Sequence, residues 1–224
     1  MITALIPVRK GSQRVKNKNN KLFCNTSLLE IKIKQLLELR QRNKITQVIV
    51  TSDDREMLRI AKELGAETHF RDEYYASSKA SNSDFFQNLA SNVGEESWVM
   101  YSPVTSPLVS METYNEILSD FKTNPKNIVT VSPIKHHLWQ NGKPLNYDIK
   151  NSPNSQDLPD IYAINYAISI IRRSDMIKYQ NIVTETPTFK VLDEIESIDI
   201  DTEFDFMVAE LIYKKLQKNV TSIS

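Results

Sequence analysis

Six cations crowd the loop that follows the first apolar stretch of the chain: Arg9, Lys10, Arg14, Lys16, Lys18 and Lys21. No carboxylate accompanies them, because the first acidic residue is Glu30. The whole chain balances 28 basic against 28 acidic residues. The loop is therefore a local block of positive charge on a neutral background, suited to one anionic ligand rather than to polyanions in general. Gly11 is the only glycine between residues 9 and 19, which excludes both a Walker loop and a dinucleotide fingerprint. What remains is a tight turn at Gly11-Ser12, free backbone N–H groups and cations on both sides. That set suits a triphosphate, whose charge must be neutralised before a nucleophile can approach phosphorus. The plainer alternative is a solvated basic loop. No aromatic residue precedes Phe23 to stack on bases, so a nucleic-acid partner is not expected.

A second constellation lies near the other end, in Ser197-Ile198-Asp199-Ile200-Asp201-Thr202. Carboxylates two residues apart in an extended segment project to one side, an arrangement that suits a hard cation such as Mg²⁺. Asp201 also stands just before an expected helix, where its charge would favour the helix N-terminus. Metal binding and helix capping both fit this spacing. His136-His137 reads as a solvated pair or as contacts to an acidic ligand, and Cys24 as a small packing residue.

Strand and helix signals alternate through the chain that must position these groups. Residues 2–8 read as a buried strand, 47–51 as a second, and 97–101, 128–131 and 161–171 as others. Between them Leu29, Ile33, Leu36 and Leu37, then Met57, Ile60, Ala61 and Leu64, recur at helical spacing. Phe86, Leu89, Ala90 and Val93 do so again, as do Tyr114, Ile117, Leu118 and Phe121 behind a cap near Ser110. Gly65 ends the second helix where a left-handed residue is wanted. A last helix is expected from Thr202, with Asp205 in its first turn and Phe204, Met207, Val208 and Leu211 buried; the final T-S-I-S is expected to fray. The pattern predicts an α/β fold, a mostly parallel sheet with helices on both faces. Residues 133–160 sustain no apolar period and read as an inserted arm, either a flap or a dimerisation excursion.

The 224 residues suit one domain spanning 1–224, and 40% hydrophobic composition is enough for a core. A single cysteine excludes an internal disulfide framework. There is no charged leader, and no apolar run reaches the ~20 residues of a membrane span. A cytoplasmic protein without a membrane partner is expected.

The stretch L-I-P-V-R-K-G-S-Q-R-V-K-N-K-N-N-K resembles the signature of the acylneuraminate cytidylyltransferases, the CMP-sialic acid synthetase family, whose usual form is I-P-A-R-G-G-S-K-G-I-P-R-K-N-I-K. Arg9, Gly11, Ser12, Lys18, Asn19 and Lys21 coincide in register. Val50-Thr51-Ser52-Asp53-Asp54 is similar to V-S-T-D-D, and Arg71 with Ala80-Ser81 to R-P-x-x-L-A-x-D-x-A-S. Thr105-Ser106-Pro107-Leu108 resembles the end of Q-P-T-S-P-L, and residues 197–205 nearly repeat the closing motif. The matches fall in order over residues 1–21, 47–110 and 195–211.

The resemblance implies a Rossmann-like nucleotidyltransferase fold, usually a homodimer. It also implies transfer of CMP from CTP to an acidic, sialic-acid-like sugar for surface glycan assembly. On this reading Arg9 and Lys18 would neutralise the α-phosphate and departing pyrophosphate, with Gly11, Ser12, Asn19 and Lys21 nearby. Arg71 and Ser81 would contact the nucleotide, and Thr105, Ser106 and Asn165 the substrate. Asp199 and Asp201 would hold Mg²⁺, with Asp201 orienting the attacking hydroxyl. The motif R-P-N-G-A-I-Y stands here as Ala163-Ile164-Asn165-Tyr166-Ala167-Ile168-Ser169, so Ala163 replaces an arginine of the sugar-acid side. Pro103 replaces the glutamine of Q-P-T-S-P, and Arg14 stands at a glycine. A phosphonate or other acidic acceptor, and a non-catalytic nucleotide-binding relative, stay open as alternatives.

Overall fold

The first strand is buried on both of its faces. In the computed structural model, which describes residues 1–12 and 14–221, Ala4, Ile6 and Val8 face one core and Leu5 the other. Both faces of the strand's period-2 alternation are thus apolar apart from the buried Thr3. The chain runs through β1 (Ile2–Pro7), α1 (Leu28–Gln41), β2 (Gln47–Ser52), α2 (Arg55–Glu63), β3 (Glu67–Phe70), α3 (Glu73–Ala76), α4 (Asn82–Ser91), β4 (Trp98–Tyr101) and α5 (Met111–Thr123). It continues through β5 (Ile128–Ile134), β6 (Trp139–Gln140), β7 (Lys143–Pro144), β8 (Ile161–Arg172), α6 (Arg173–Tyr179), β9 (Thr188–Val191) and α7 (Glu203–Thr221). Residues 222–224, where fraying is expected, lie outside the described residues.

Seven strands form one sheet in the order β3-β2-β1-β4-β8-β5-β9. All pairs are parallel except those of β8, which runs antiparallel to β4 and β5. The α/β fold with a mostly parallel sheet read from the sequence is borne out. Helices α1, α2, α5 and α7 supply the core on one face, with Leu36, Met57, Tyr114 and Phe206 among them. On the other face α4 and α6 contribute Phe86, Leu89 and Met176.

Local chemistry sets the helix starts. Ser27 Oγ accepts from Glu30 N at 3.2 Å to cap α1. Asp54 Oδ1 accepts from the Glu56 and Met57 amides at 2.8 and 3.3 Å to cap α2. Gly65, at φ +94°, takes the left-handed position beyond that helix. Strands β3 and β9 and helices α3 and α6 are additions to the elements read from the sequence. Both added strands lie on the sheet's edges, where half-solvated residues weaken the apolar signal.

One expectation is overturned. Helix α7 buries Phe206 and Ala209, whereas Phe204, Met207 and Leu211 are 67%, 52% and 63% exposed. The helix is apolar on more than one face, and packing chose between them. Phe206 and Tyr213 close on the ring of Phe23, with centroids 5.3 and 5.5 Å away.

Between β5 and β8 the chain leaves the sheet. Lys135 Nζ bonds Leu158 O at 2.8 Å and Asp160 Oδ1 at 2.7 Å, closing the neck of this excursion. A small hairpin of β6 and β7 stands outside it, turning at Asn141-Gly142, both of positive φ. His137 Nε2 sits 3.1 Å from Pro153 O, stitching the arm together.

Candidate active site

The strand order reverses between β1 and β4: the chain builds β1, β2 and β3 outward, then returns to the other side of β1. Crevices at such switch points, beyond the carboxyl ends of the strands, are where open α/β sheets hold ligands. A cleft of about 680 Å³ lies there, walled by the loop after β1, the segment after β3, the α3–α4 loop and residues 103–105. Arg9, Ser12, Lys18, Asn19, Arg71, Ser81, Thr105 and Asp201 all line it. The fold thus brings together eight predicted residues that the sequence scatters over nearly two hundred positions.

The basic loop is pinned rather than merely solvated. Val15 is fully buried beneath it and Asn19 is 5% exposed. Asn19 Nδ2 donates to Arg9 O at 3.1 Å, and Asn19 O accepts from Leu29 N at 3.1 Å. Lys10 N donates to Asp53 Oδ1 at 2.9 Å, which assigns the first aspartate of the Ser-Asp-Asp run to holding this loop. Gly11, at φ +72°, makes the turn. Arg9 Nη1 donates to Ala76 O at 3.0 Å, tying the loop to the opposite wall. Lys18 Nζ donates to the carbonyl of Ile200 and lies 3.8 Å from Asp201 Oδ1. Burial is the largest influence on Lys18 and lowers its pKa, outweighing the neighbouring Asp201 and Asp199. An ammonium so placed is short of negative charge, as a phosphate site requires.

Arg71 forms the floor. It is 2% exposed, its guanidinium lies 5.3 Å from the centroid of Phe85, and Nη2 donates to Val8 O at 2.5 Å. Nε and Nη1 are buried and meet no acceptor among the described residues. Burial lowers its pKa to about 10, with Asp53 pulling the other way. Buried polar groups in proteins are almost always paired, so two idle nitrogens on a residue that lines the cleft are candidates for a ligand's acceptor atoms.

Of the paired carboxylates, Asp201 lines the cleft and Asp199 does not. Ile200 N donates to Thr105 O at 2.9 Å, and the Thr105 side chain bonds Asp199, whose pKa burial nevertheless raises. Asp201 Oδ1 receives Arg14 Nη2 at 2.8 Å. Asp201 is not the hydrogen-bonding cap of α7. Thr202 Oγ1 accepts from Asp205 N at 3.2 Å, while Asp205 Oδ2 takes the Thr202 amide at 2.8 Å. That reciprocal box serves α7 and leaves the Asp201 side chain to the cleft. Among the described residues no cluster of three or more His, Cys, Asp or Glu side chains could hold a metal alone. Two carboxylates suit Mg²⁺ only where phosphate oxygens and water complete its shell.

Other predicted residues lie apart. Gly11 and Lys21 line a second hollow on the outer side of the basic loop. Lys21 Nζ pairs with Glu203 at 2.6 Å and covers the Phe206 ring. Ser106 is 1% exposed behind the wall. Asn165 sits at a bulge in β8, where its Oδ1 accepts from Thr130 Oγ1 at 2.6 Å and Ala167 N at 3.2 Å. Ser81 lines the cleft and also caps α4, accepting from Asp84 N at 3.1 Å. Sequence reasoning missed Tyr101 and Phe85 as cleft walls; each reads only as one more core aromatic in an apolar period. The φ of +57° at Tyr166, which no residue type would have announced, is a further feature outside the sequence reading.

Comparisons with known proteins give the family and the fold. The profile of a family described as cytidylyltransferase matches residues 3–199. The N-acylneuraminate cytidylyltransferase of Escherichia coli O18:K1:H7 is 28% identical over 96% of this chain, which spans about half (52%) of that relative. The CMP-N,N'-diacetyllegionaminic acid synthase of Legionella pneumophila is 27% identical, covering 97% of this chain and 98% of its own. Among solved structures, a CMP:2-keto-3-deoxy-manno-octonic acid synthetase complexed with CTP superposes with a TM-score of 0.68 at 12% identity, over 96% of this chain and 98% of the other.

Proposed function

The chain belongs to the cytidylyltransferase family, and from that premise we propose that it transfers CMP from CTP to an acidic sugar of the nonulosonic class, releasing pyrophosphate. The observation that carries the reading is the lining of the cleft. A buried guanidinium with two idle nitrogens, the cations Arg9 and Lys18 and the Asp201 carboxylate all line it, with Asp199 next to Asp201. The relatives' names point to the same donor and to acceptors of this kind.

In this reading the acceptor hydroxyl oxygen attacks the α-phosphorus, the bond from that phosphorus to the bridging oxygen breaks, and pyrophosphate leaves with the electron pair. Arg71 takes the acceptor atoms of the base through Nε and Nη1. Arg9 and Lys18 sit where negative charge gathers on the leaving group, held by the Ala76 and Ile200 carbonyls so that little reorganisation accompanies the reaction. Arg14 gives up its ion pair with Asp201 as the anionic substrates enter. Asp201 then orients the hydroxyl and accepts its proton or passes it to solvent. Asp199 and Asp201 would hold Mg²⁺ together with phosphate oxygens; when bound, the ion neutralises phosphate charge and lowers the hydroxyl pKa. The product would feed surface glycan assembly. Exposed Trp139, Leu145 and Ile149 on the arm are the face proposed for a second copy of the chain.

The test is pyrophosphate release with Mg²⁺, each nucleoside triphosphate being offered against a panel of nonulosonic and other acidic sugars. Release with CTP and an acidic sugar is expected. Release with a phosphonate alone would move the acceptor class, and CTP binding by calorimetry without any release would favour a non-catalytic relative.

A further inference from the structure

Tyr166 is held in the left-handed region at φ +57°. For a bulky side chain this is a genuine outlier, and such outliers persist only where the surroundings over-determine them, most often at ligand sites. The bulge itself does not depend on the phenol. Asn165 closes it, with Oδ1 accepting from Thr130 and from Ala167 N, where β8 takes five steps from Ile164 to Ser169 against two from Val131 to Val129 on β5. The Tyr166 side chain is spare to this arrangement: the residue is 40% exposed and its hydroxyl makes no hydrogen bond among the described residues. Glycine is the residue suited to such a backbone, and the motif that this segment resembles has glycine at this position.

The position of the bulge gives the spare ring a use. Tyr101, at the carboxyl end of β4, pairs with Ser169. Because β8 runs antiparallel, its earlier residues reach past the end of β4, at the edge of the sheet where the cleft opens. Tyr101 lines the cleft, and Tyr166 stands three residues before its partner Ser169 on β8. In-line displacement requires the nucleophile to approach the α-phosphorus from the side opposite the leaving pyrophosphate. The cations after β1 and Arg71 after β3 occupy the β1–β3 side of the sheet; the acceptor is left with the β4–β8 side. There Ala163 and Tyr166 bring an apolar methyl and a phenol where the resembled motif has a guanidinium and no side chain.

We infer that Tyr166 is an acceptor-binding, specificity-determining residue, its ring forming a wall for the acidic sugar and favouring one that presents N-acyl methyl groups rather than a bare polyol. This rests on the cytidylyltransferase reading above. The tests are Tyr166→Gly and Tyr166→Asn, two residues that tolerate the left-handed backbone and remove the ring, measured by pyrophosphate release. The acceptor probes are N,N'-diacetyllegionaminic acid, N-acetylneuraminic acid and the non-acylated 2-keto-3-deoxy-manno-octonic acid. Both variants should keep the fold, with melting temperatures within a few degrees of the parent. KM for the acylated acids should rise about tenfold or more while KM for CTP stays within about twofold, since ring-to-sugar packing is lost and the nucleotide end is untouched. A role confined to the backbone predicts no kinetic change; unchanged acid KM values, or a rise confined to CTP, would overturn the inference alone. If the parent protein turned over none of the acids, the functional reading would fall first and this one with it.

Discussion

Lys32 offers a sharp physical test because its ammonium is buried without a counter-ion. It is fully buried on α1, donating to Ser106 O at 2.9 Å and Tyr114 OH at 2.8 Å, with Tyr114 OH in turn 2.7 Å from Ser102 Oγ. No carboxylate acts on it, and burial alone lowers its pKa from 10.5 to about 7. The unfolded chain therefore holds this proton between about pH 7 and 10.5 while the folded chain has released it. Because the unfolded state binds more protons there, stability rises with pH through that window and is lowest and flat below it. At about 1.4 kcal/mol per pH unit, the full span corresponds to about 5 kcal/mol. Lys32→Met removes this penalty and leaves the Ser106 carbonyl without its donor, at a cost of about 1–3 kcal/mol. The variant should thus exceed the parent in stability by about 2–4 kcal/mol at pH 6.5, and by pH 9.5 that advantage should shrink by about 3 kcal/mol and vanish. Urea unfolding of both proteins at pH 6.5, 8 and 9.5 measures the difference directly, because every other titrating group cancels. A stability difference that does not vary with pH would refute the reasoning, since it would mean that the lysine finds charge compensation within the fold.

The cleft gives further tests. Asp201→Ala should abolish Mg²⁺-dependent turnover yet shift the melting temperature little, because Thr202 and Asp205, not Asp201, cap α7; wild-type turnover would remove its proposed role. Asp205→Ala should do the reverse, costing about 1 kcal/mol of stability by urea unfolding with KM for both substrates held. Arg71→Met should raise KM for CTP by tenfold or more and erode preference over UTP while sparing acid KM, as steady-state kinetics would show; retained nucleotide selectivity would contradict the floor assignment. Arg9→Ala should cost about 3 kcal/mol of transition-state stabilisation, read as a loss of roughly a hundredfold in kcat/KM, and a loss below tenfold would count against it.

Much of this molecule is local in origin. The apolar run of β1, the Ser27 and Asp54 caps and the glycine at position 65 each fix an element from neighbouring residues alone, so the alternating α/β order was readable before any contact was known. The two poles of the cleft were readable too, because a cation block without acids and paired carboxylates are chemistry written in residue type. Tertiary structure decided what depended on distant partners. Two apolar stripes of α7 satisfy the same helical period, and only the ring of Phe23, nearly two hundred residues away, selects Phe206 over Phe204. The edge strands β3 and β9 gain their hydrogen bonds from β2 and β5, not from any pattern of their own. Spacing left Asp201 poised between cap and cleft until the Thr202–Asp205 box released it. Arg71 is singled out only through the family resemblance, since its own residue type and spacing mark nothing; folding places it against Val8 and Phe85, where burial lowers its pKa at the floor of the cleft.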